Sequence, residues 1–408
     1  MVESTLKEVV VRMFIIHALK KHFMLKQYHI FIDFLRFCIS SVDEIPDSLK
    51  GADWKELYAI ARKQALVGIM FEGVKRLPQE LWPPRNVILQ WAMMVESIKL
   101  RNRQTTDVCL RLTEALSKDG FETCILKGQA NHVYYDGLNS EHSLGPLRIC
   151  GDVDARIWPK EKTLHPVKSI IDYCQSKKIL LSLCYLHAEV KPVNGVPVEI
   201  HFRPSFLNAP WSNLCFQKLF KSAVFENKEI DECGTIKKLR VDYDLIFQMN
   251  HIYRHLLDEG VGMRQILDFY VLLKAYQNDR KGQSEMMNVD VLMKHISDCG
   301  MKRFASALMF VLQEIFGLDD EELLCSVSEK HGVFLMEEMM AAGNFGHYDE
   351  RMKTLAVKKG KLSYQLQKAL RRFKRNLRFL TSYPEEVICE PLARIYHFIW
   401  RKLALYRF

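Results

Sequence analysis

The sequence predicts an α+β fold in which a strand-rich segment lies between two helical regions. Three observations carry that expectation. Apolar residues recur at helical spacing up to about residue 118, short alternating runs punctuated by turns occupy 121–204, and the helical period returns from about 240. A chain of 408 residues exceeds one typical core and suggests two or three domains.

The first helical run is marked by Ile30, Phe31, Phe34, Leu35, Phe37 and Cys38. Pro46-Asp47-Ser48 and Gly51-Ala52-Asp53 interrupt it, and Asp53 is positioned to cap a helix starting at Trp54. A third run follows Pro83-Pro84 to about Ser117. Strand-like runs then come at Thr123–Leu126, Leu147–Trp158, Leu183–Lys191 and Val196–Phe202, with helices expected over 128–136 and 161–177. Val193-Asn194-Gly195 between the last two runs is a hairpin signal, because Asn-Gly tolerates the left-handed backbone of a two-residue turn. Residues 242–276 read as two packed helices parted near Glu259-Gly260, with Gln277–Gln283 as a polar connector. Met336, Met339 and Met340 read as core filler.

Composition excludes several classes. Nearly half the residues are apolar (48%) and a quarter charged (26%), the balance of an ordinary globular protein. The net charge of +9 suits a polyphosphate or other acidic ligand without pointing to nucleic acid by itself. Eleven cysteines stand singly with no Cys-x-x-Cys pair, so zinc-ribbon and thioredoxin-like readings have no support and reduced core thiols are expected. Near the start, Met13-Phe14-Ile15-Ile16 runs directly into His17, Lys20, Lys21 and His22. That is too short for a signal peptide or a membrane span, so a cytoplasmic protein without a span is expected.

The chemistry concentrates in Ile149-Cys150-Gly151-Asp152-Val153-Asp154-Ala155-Arg156-Ile157-Trp158. On a strand, Asp152 and Asp154 share a face while Val153, Ala155 and Ile157 share the other. Two carboxylates so placed repel unless a cation or water separates them, and Mg²⁺ with oxygen ligands suits them. Taken alone, Asp-x-Asp fits a solvated strand face equally well. Two neighbours weight it towards a site. Cys124-Ile125-Leu126 leads into Lys127-Gly128-Gln129, a glycine at a strand-to-helix turn where phosphate can approach backbone N–H groups. In Val198-Glu199-Ile200-His201, Glu199 and His201 share a strand face and offer a third carboxylate.

This order of strand, glycine turn, helix, Asp-x-Asp strand and Glu strand resembles the DNA-polymerase-β-like nucleotidyltransferase superfamily. It is more specifically similar to a bacterial nucleotidyltransferase family of unassigned substrate. Leu126-Lys127-Gly128, Tyr134-Tyr135, Arg148 ahead of Asp-x-Asp, and Glu199-Ile200-His201-Phe202-Arg203 carry the likeness. So do His251-Ile252-Tyr253-Arg254-His255 and the Arg264-x-x-x-Asp268 spacing, giving a match over about 50–275. Two features depart from the wider superfamily: Lys127-Gly128-Gln129 replaces Gly-Ser, and a loop at 136–146 lengthens the path to Asp152.

The resemblance implies a small mixed β-sheet nucleotidyltransferase core at 119–235, flanked by helical domains at 1–118 and 236–408. It further implies catalysis and metal binding by Asp152, Asp154 and Glu199 with Mg²⁺ (or Mn²⁺), and transfer of a nucleoside monophosphate from a nucleoside triphosphate to an acceptor hydroxyl. Lys127, Gly128, Gln129, Arg148, His201 and Arg203 would face the nucleotide, and His251, His255, Arg264 and Asp268 the substrate. Other readings stay open at this point. His251 and His255 at i,i+4 could serve zinc or simply pack beside the cleft. Arg264 and Asp268 have the spacing of a helical salt bridge. The run Arg351–Arg378 holds eleven basic residues, with apolar Leu362, Leu366, Ala369, Leu370 and Phe373 on one side. It reads as a solvated face or as an acidic-ligand or RNA surface. The acceptor is a small molecule, sugar or protein, and a catalytically degenerate nucleotide-binding protein or an Asp-x-Asp glycosyltransferase are the alternatives in other classes.

Overall fold

The computed structural model describes residues 26–406 except 43, 136–137, 139–142, 231–232, 281–284 and 353–360. The Met13–His22 stretch, most of the loop expected at 136–146, and the 353–360 part of the basic run therefore lie outside the described residues.

Among the described residues four α-helices come first: α1 (26–39), α2 (Trp54–Lys63), α3 (Val67–Arg76) and α4 (Arg85–Lys118). Asp53 caps α2 as its position predicts, its side chain accepting from the backbone N–H of Lys55 and Glu56. At 34 residues α4 is about 50 Å long at 1.5 Å per residue. Its first half packs into the helical core through Trp91 and Val95, and its second half lies on the sheet through Val108, Cys109 and Leu116.

The strands are β1 (Phe121–Ile125), β2 (Val153–Pro159), β3 (Leu180–Leu183), β4 (His187–Val193), β5 (Val196–His201), β6 (Phe225–Ile230) and β7 (Gly234–Leu239). They form one mixed sheet in the order β3-β4-β5-β2-β1-β7-β6. Interleaved are α5 (Gln129–His132), α6 (Pro166–Ser176) and α7 (Pro210–Lys221). The expected α+β class, a mixed sheet flanked by helices, is what the chain adopts.

Asn194 and Gly195 both take positive φ (49° and 73°) in the turn that joins β4 to β5. Several bounds differ from the sequence expectation for local reasons. The Leu147–Trp158 run becomes a strand only from Val153, because Gly145–Leu147 forms a 3-10 turn and Arg148 is tied elsewhere. The helix expected from 161 starts at Pro166, since proline is accommodated in the first turn. The Leu183–Lys191 run is broken at Cys184-Tyr185-Leu186, and the helix expected over 128–136 is only one turn, α5. Helix α7 and strands β6 and β7 form where no element is expected, between 205 and 239, and β7 carries the sheet to Leu239.

The C-terminal helices are α8 (Val241–Asp258), α9 (Met263–Arg280), α10 (Val289–Asp298), α11 (Lys302–Phe316), α12 (Glu329–Ala342), α13 (Lys361–Phe379) and α14 (Pro384–Tyr406). The break between α8 and α9 falls at Glu259-Gly260, as expected. One hydrophobic cluster joins N-terminal residues such as Phe34 and Trp91 to Phe247, Ile266, Phe304 and Met339 of the C-terminal helices. A second lies under the sheet, where Val153, Ala155, Ile157, Val198 and Ile200 meet α4 and α6 (Ile170, Cys174). The alternation of β2 and β5 thus leaves Asp154, Glu199 and His201 on the opposite face, towards α8. All eleven cysteines are free thiols. Among the described residues no helix is long and apolar enough to cross a membrane.

Candidate active site

β2 and β5 pair in parallel with Asp154 directly beside Glu199, a register that two-residue periodicity alone does not dictate. Asp152 sits just before β2 and is partly exposed. Ligand oxygens of Asp152, Asp154 and Glu199 lie within 4.8 Å of one another. Like charges this close need compensation, and two side chains supply it. Lys127 Nζ is 3.0 Å from Asp154 Oδ2 and 3.9 Å from Asp152 Oδ1. His201 Nε2 is 3.0 Å from Asp154 Oδ1 and 3.2 Å from Glu199 Oε2.

The electrostatic consequences follow. Burial opposes charge on His201, but its bonds to Asp154 and Glu199 outweigh that and push its pKa up to about 9. Burial likewise disfavours ionised Glu199, yet His201 and His187 bring it down to about 2. Asp154 is held below the usual carboxylate range, with Lys127 and His201 overcoming its desolvation. Burial disfavours charge on half-buried Lys127, but the three carboxylates keep it protonated above its ordinary value. His187, whose Nδ1 lies 3.1 Å from Glu199 Oε2, is instead lowered to about 4 by burial and by His201. It is a neutral imidazole at pH 7.

These groups line one wall of a cavity of about 460 Å³. The facing wall comes from α8 (Phe247, His251, Arg254, His255), from Glu259, and from Phe345 and His347 after α12. Burial pushes both His251 and His255 down, so this wall carries neutral rings beside Arg254. Phe345 takes φ 52°, a left-handed backbone that bulky residues rarely adopt. The loop is wedged against the α8–α9 turn, where a Cβ on Gly346 would lie 2.0 Å from Glu259 O.

Residues 50–317 match the family model described as uncharacterised nucleotidyltransferase. The chain belongs to this nucleotidyltransferase family. Among solved structures it is similar to an antigenic nucleotidyltransferase-like protein from Paracoccidioides brasiliensis. That pair shares 13% identity over 57% of this chain and 94% of the other, with a TM-score of 0.31, too loose a superposition to carry argument. No curated protein matches.

Within this nucleotidyltransferase the remaining sequence-selected residues divide by position. Gly128 precedes α5 with φ 64° and backs onto the Asp152 carbonyl. Gln129 is buried and donates to Thr106 Oγ1 at 2.7 Å. Arg148 is buried away from the cavity lining, in a two-pronged pair with Asp268 at 2.6 and 2.7 Å. Asp268 therefore takes its cation from the segment before β2 rather than from Arg264, which donates to Ile149 O at 2.7 Å. Arg203 is also not among the lining residues. It donates to Tyr185 O and lies over the Tyr185 and Trp400 rings, 4.1 and 4.9 Å from their centroids. His251 and His255 pack edge to face at 4.3 Å in the cavity wall.

Sequence reasoning passed over His187, Glu259, Phe345 and His347 and gave Arg254 no role of its own. Counting outward from Asn194-Gly195 pairs His201 with Ala188. The register shift between Val190 and Val193, at Pro192, which has no N–H for the ladder, instead sets His187 opposite His201.

The linked charges make metal-free stability depend on pH. His201 has a folded pKa of about 9 against 6.5, so its contribution is complete below pH 6.5 and lost as pH rises through 9. Glu199, at about 2 against 4.5, contributes fully above pH 4.5 and loses it as pH falls through 2. His187, at about 4 against 6.5, contributes fully above pH 6.5 and loses it as pH falls through 4. Thermal melts in chelator should thus be highest near pH 6.5 and drop on the alkaline side by about 3 kcal/mol. His201→Gln should flatten the alkaline limb alone; an unchanged limb would refute the assignment.

Proposed function

We propose that this nucleotidyltransferase moves a nucleoside monophosphate from a nucleoside triphosphate to an acceptor hydroxyl, with Mg²⁺ or Mn²⁺ held by Asp152, Asp154 and Glu199. The observation that carries the reading is the convergence of three carboxylates within 4.8 Å on one wall of a cavity, beside a lysine. The donor set fits a hard divalent ion: all three ligands are oxygens, and buried Asp154 Oδ2 makes no hydrogen bond, only its ion pair with Lys127. A bound divalent cation supplies charge stabilisation at the phosphates and lowers the pKa of the attacking hydroxyl.

The chain's own groups do the rest. The acceptor oxygen forms a bond to the α-phosphorus while the bond to the β-phosphate oxygen breaks, and pyrophosphate leaves. Lys127 brings a fixed positive charge to the phosphate end of the cleft. Glu199, ionised across the working pH range, can accept a hydrogen bond from the acceptor hydroxyl and orient it, while the proton released passes to water as pyrophosphate leaves. The neutral rings of His251 and His255, with Phe345, offer flat faces to the nucleoside or acceptor, and Arg254 a cation. The RNA reading of the basic run loses some of its charge, since Arg375 donates to carbonyls at the end of α8 and Arg351 pairs with Glu338 and Asp349.

The test is a screen of α-labelled ATP, CTP, GTP and UTP with Mg²⁺ or Mn²⁺ against pooled sugars, small molecules and protein, following label transfer and pyrophosphate release. Transfer should appear with the wild type and vanish in Asp152→Asn. Nucleotide-dependent thermal stabilisation with no pyrophosphate release would replace the reading with a binding module. Sugar release from UDP-sugars would replace it with a glycosyltransferase.

A further inference from the structure

We infer that His187 and His201, with Glu199, form a second cation subsite in the same cleft, one that takes a borderline transition ion such as Mn²⁺ or Zn²⁺ through two imidazole nitrogens. This deepens the reading above and rests on the cleft binding a divalent cation at all. The bulged β4–β5 register brings the two histidines opposite each other on the face that carries Glu199. Their ring centroids are 4.8 Å apart, and one ligand atom from each of the three residues falls within 4.8 Å of the others.

Two of the donor spacings match a coordination shell. Donors about 2.1 Å from a common ion are separated by about 3.0 Å along an octahedral edge and about 3.4 Å along a tetrahedral one. His187 Nδ1 lies 3.1 Å from Glu199 Oε2, and His201 Nε2 lies 3.2 Å from that same oxygen. His187 Nδ1 is buried beside Glu199 Oε2 and makes no hydrogen bond. Asp154 Oδ1, 3.0 Å from His201 Nε2, links this set to the carboxylate trio. A purely oxygen-seeking ion gains nothing from imidazole, whereas Mn²⁺ and especially Zn²⁺ accept it. Glu199 belongs to both sets, so the geometry describes two neighbouring subsites with a shared ligand: oxygen-only at Asp152, Asp154 and Glu199, nitrogen-bearing at His187, Glu199 and His201.

The probe is Mn²⁺ alone, added to the untagged full chain and read by pulsed EPR for ¹⁴N modulation from directly bound imidazole. The wild type should show such modulation, His187→Ala should lose about half its depth, and Asp152→Asn should keep it. If His187→Ala does not fold, His187→Gln serves, and a wild-type spectrum without modulation is decisive by itself. Bound Mn²⁺ with no ¹⁴N modulation overturns the subsite, as does modulation that neither His187→Ala nor His201→Gln diminishes. The two readings fail separately. Label transfer without nitrogen coupling removes only the subsite, and nitrogen coupling without transfer removes only the transferase assignment.

Discussion

Asp154→Asn is expected to slow nucleotidyl transfer by about a thousandfold or more and to lower the stability of the metal-free protein at the same time. The loss of rate follows from removing one of the three charges proposed to hold the cation, a contribution worth several kcal/mol in the transition state, with each 1.36 kcal/mol a factor of ten. The loss of stability follows from position. Asp154 is 1% exposed and lies 3.0 Å from both Lys127 Nζ and His201 Nε2. Asparagine keeps the shape and removes the charge, leaving two cations in a buried setting with only Glu199 and the more distant Asp152 opposite them. Breaking a buried pair costs about 3–5 kcal/mol when the remaining charge is fully enclosed, and about 2 kcal/mol is expected here because Lys127 keeps some contact with solvent. Asp152→Asn is the control that separates the two effects. Its side chain is 36% exposed and 3.9 Å from Lys127, so transfer should fall as far while the urea midpoint moves little. Pyrophosphate release and urea unfolding measure the two quantities. An Asp154→Asn enzyme within tenfold of wild type would remove the carboxylate trio from the chemistry.

What the sequence revealed of this site follows from period and range. Asp152, Asp154, Glu199 and His201 are legible because strand alternation is local: Val153, Ala155 and Ile157 on one face oblige their neighbours to take the other. The pairing of β2 with β5 is not local, and only the resemblance made Glu199 the partner of Asp154. His187 was hidden by a single register shift at Pro192. Strands β6 and β7 were hidden by composition. Glu226, Lys228, Glu229, Lys237 and Lys238 make them read as loop, although Lys238 is wholly buried against Glu226 and Asp244. Phe345 and His347 reach the cleft from more than a hundred residues away, on a loop whose fit depends on Gly346 against Glu259. Secondary structure with a strong period, such as α2, α4 and the α8–α9 break, was accessible, and contacts set by tertiary packing were not.

The pair Arg148–Asp268 shows how such distant contacts hold the site in place, and Asp268→Ala is expected to destabilise the fold by about 3–5 kcal/mol. Both side chains are buried, and the guanidinium grips the carboxylate with Nε and Nη2 at 2.6 and 2.7 Å. Tyr135 donates to the same carboxylate at 2.7 Å. Truncation would leave the Arg148 cation and the Tyr135 hydroxyl facing a void. Because a buried pair resists the loss of one partner far more than the replacement of both, Arg148→Met combined with Asp268→Leu should recover most of the stability that Asp268→Ala loses. Urea midpoints of Asp268→Ala, of Arg148→Met and Asp268→Leu singly, and of the double measure this. A single variant costing under about 1 kcal/mol, or a double that is the sum of its parts, would overturn it. Activity should not recover with stability. Arg148 from one side and Arg264, through the Ile149 carbonyl, from the other fix the segment that delivers Asp152 to the cleft four residues after Arg148. In the double variant that segment keeps apolar packing but loses its two-pronged anchor, so Asp152 is held less firmly. Misplacement by about 1 Å can cost a hundredfold in rate. A well-folded double variant with wild-type transfer would show that the anchor serves the fold alone.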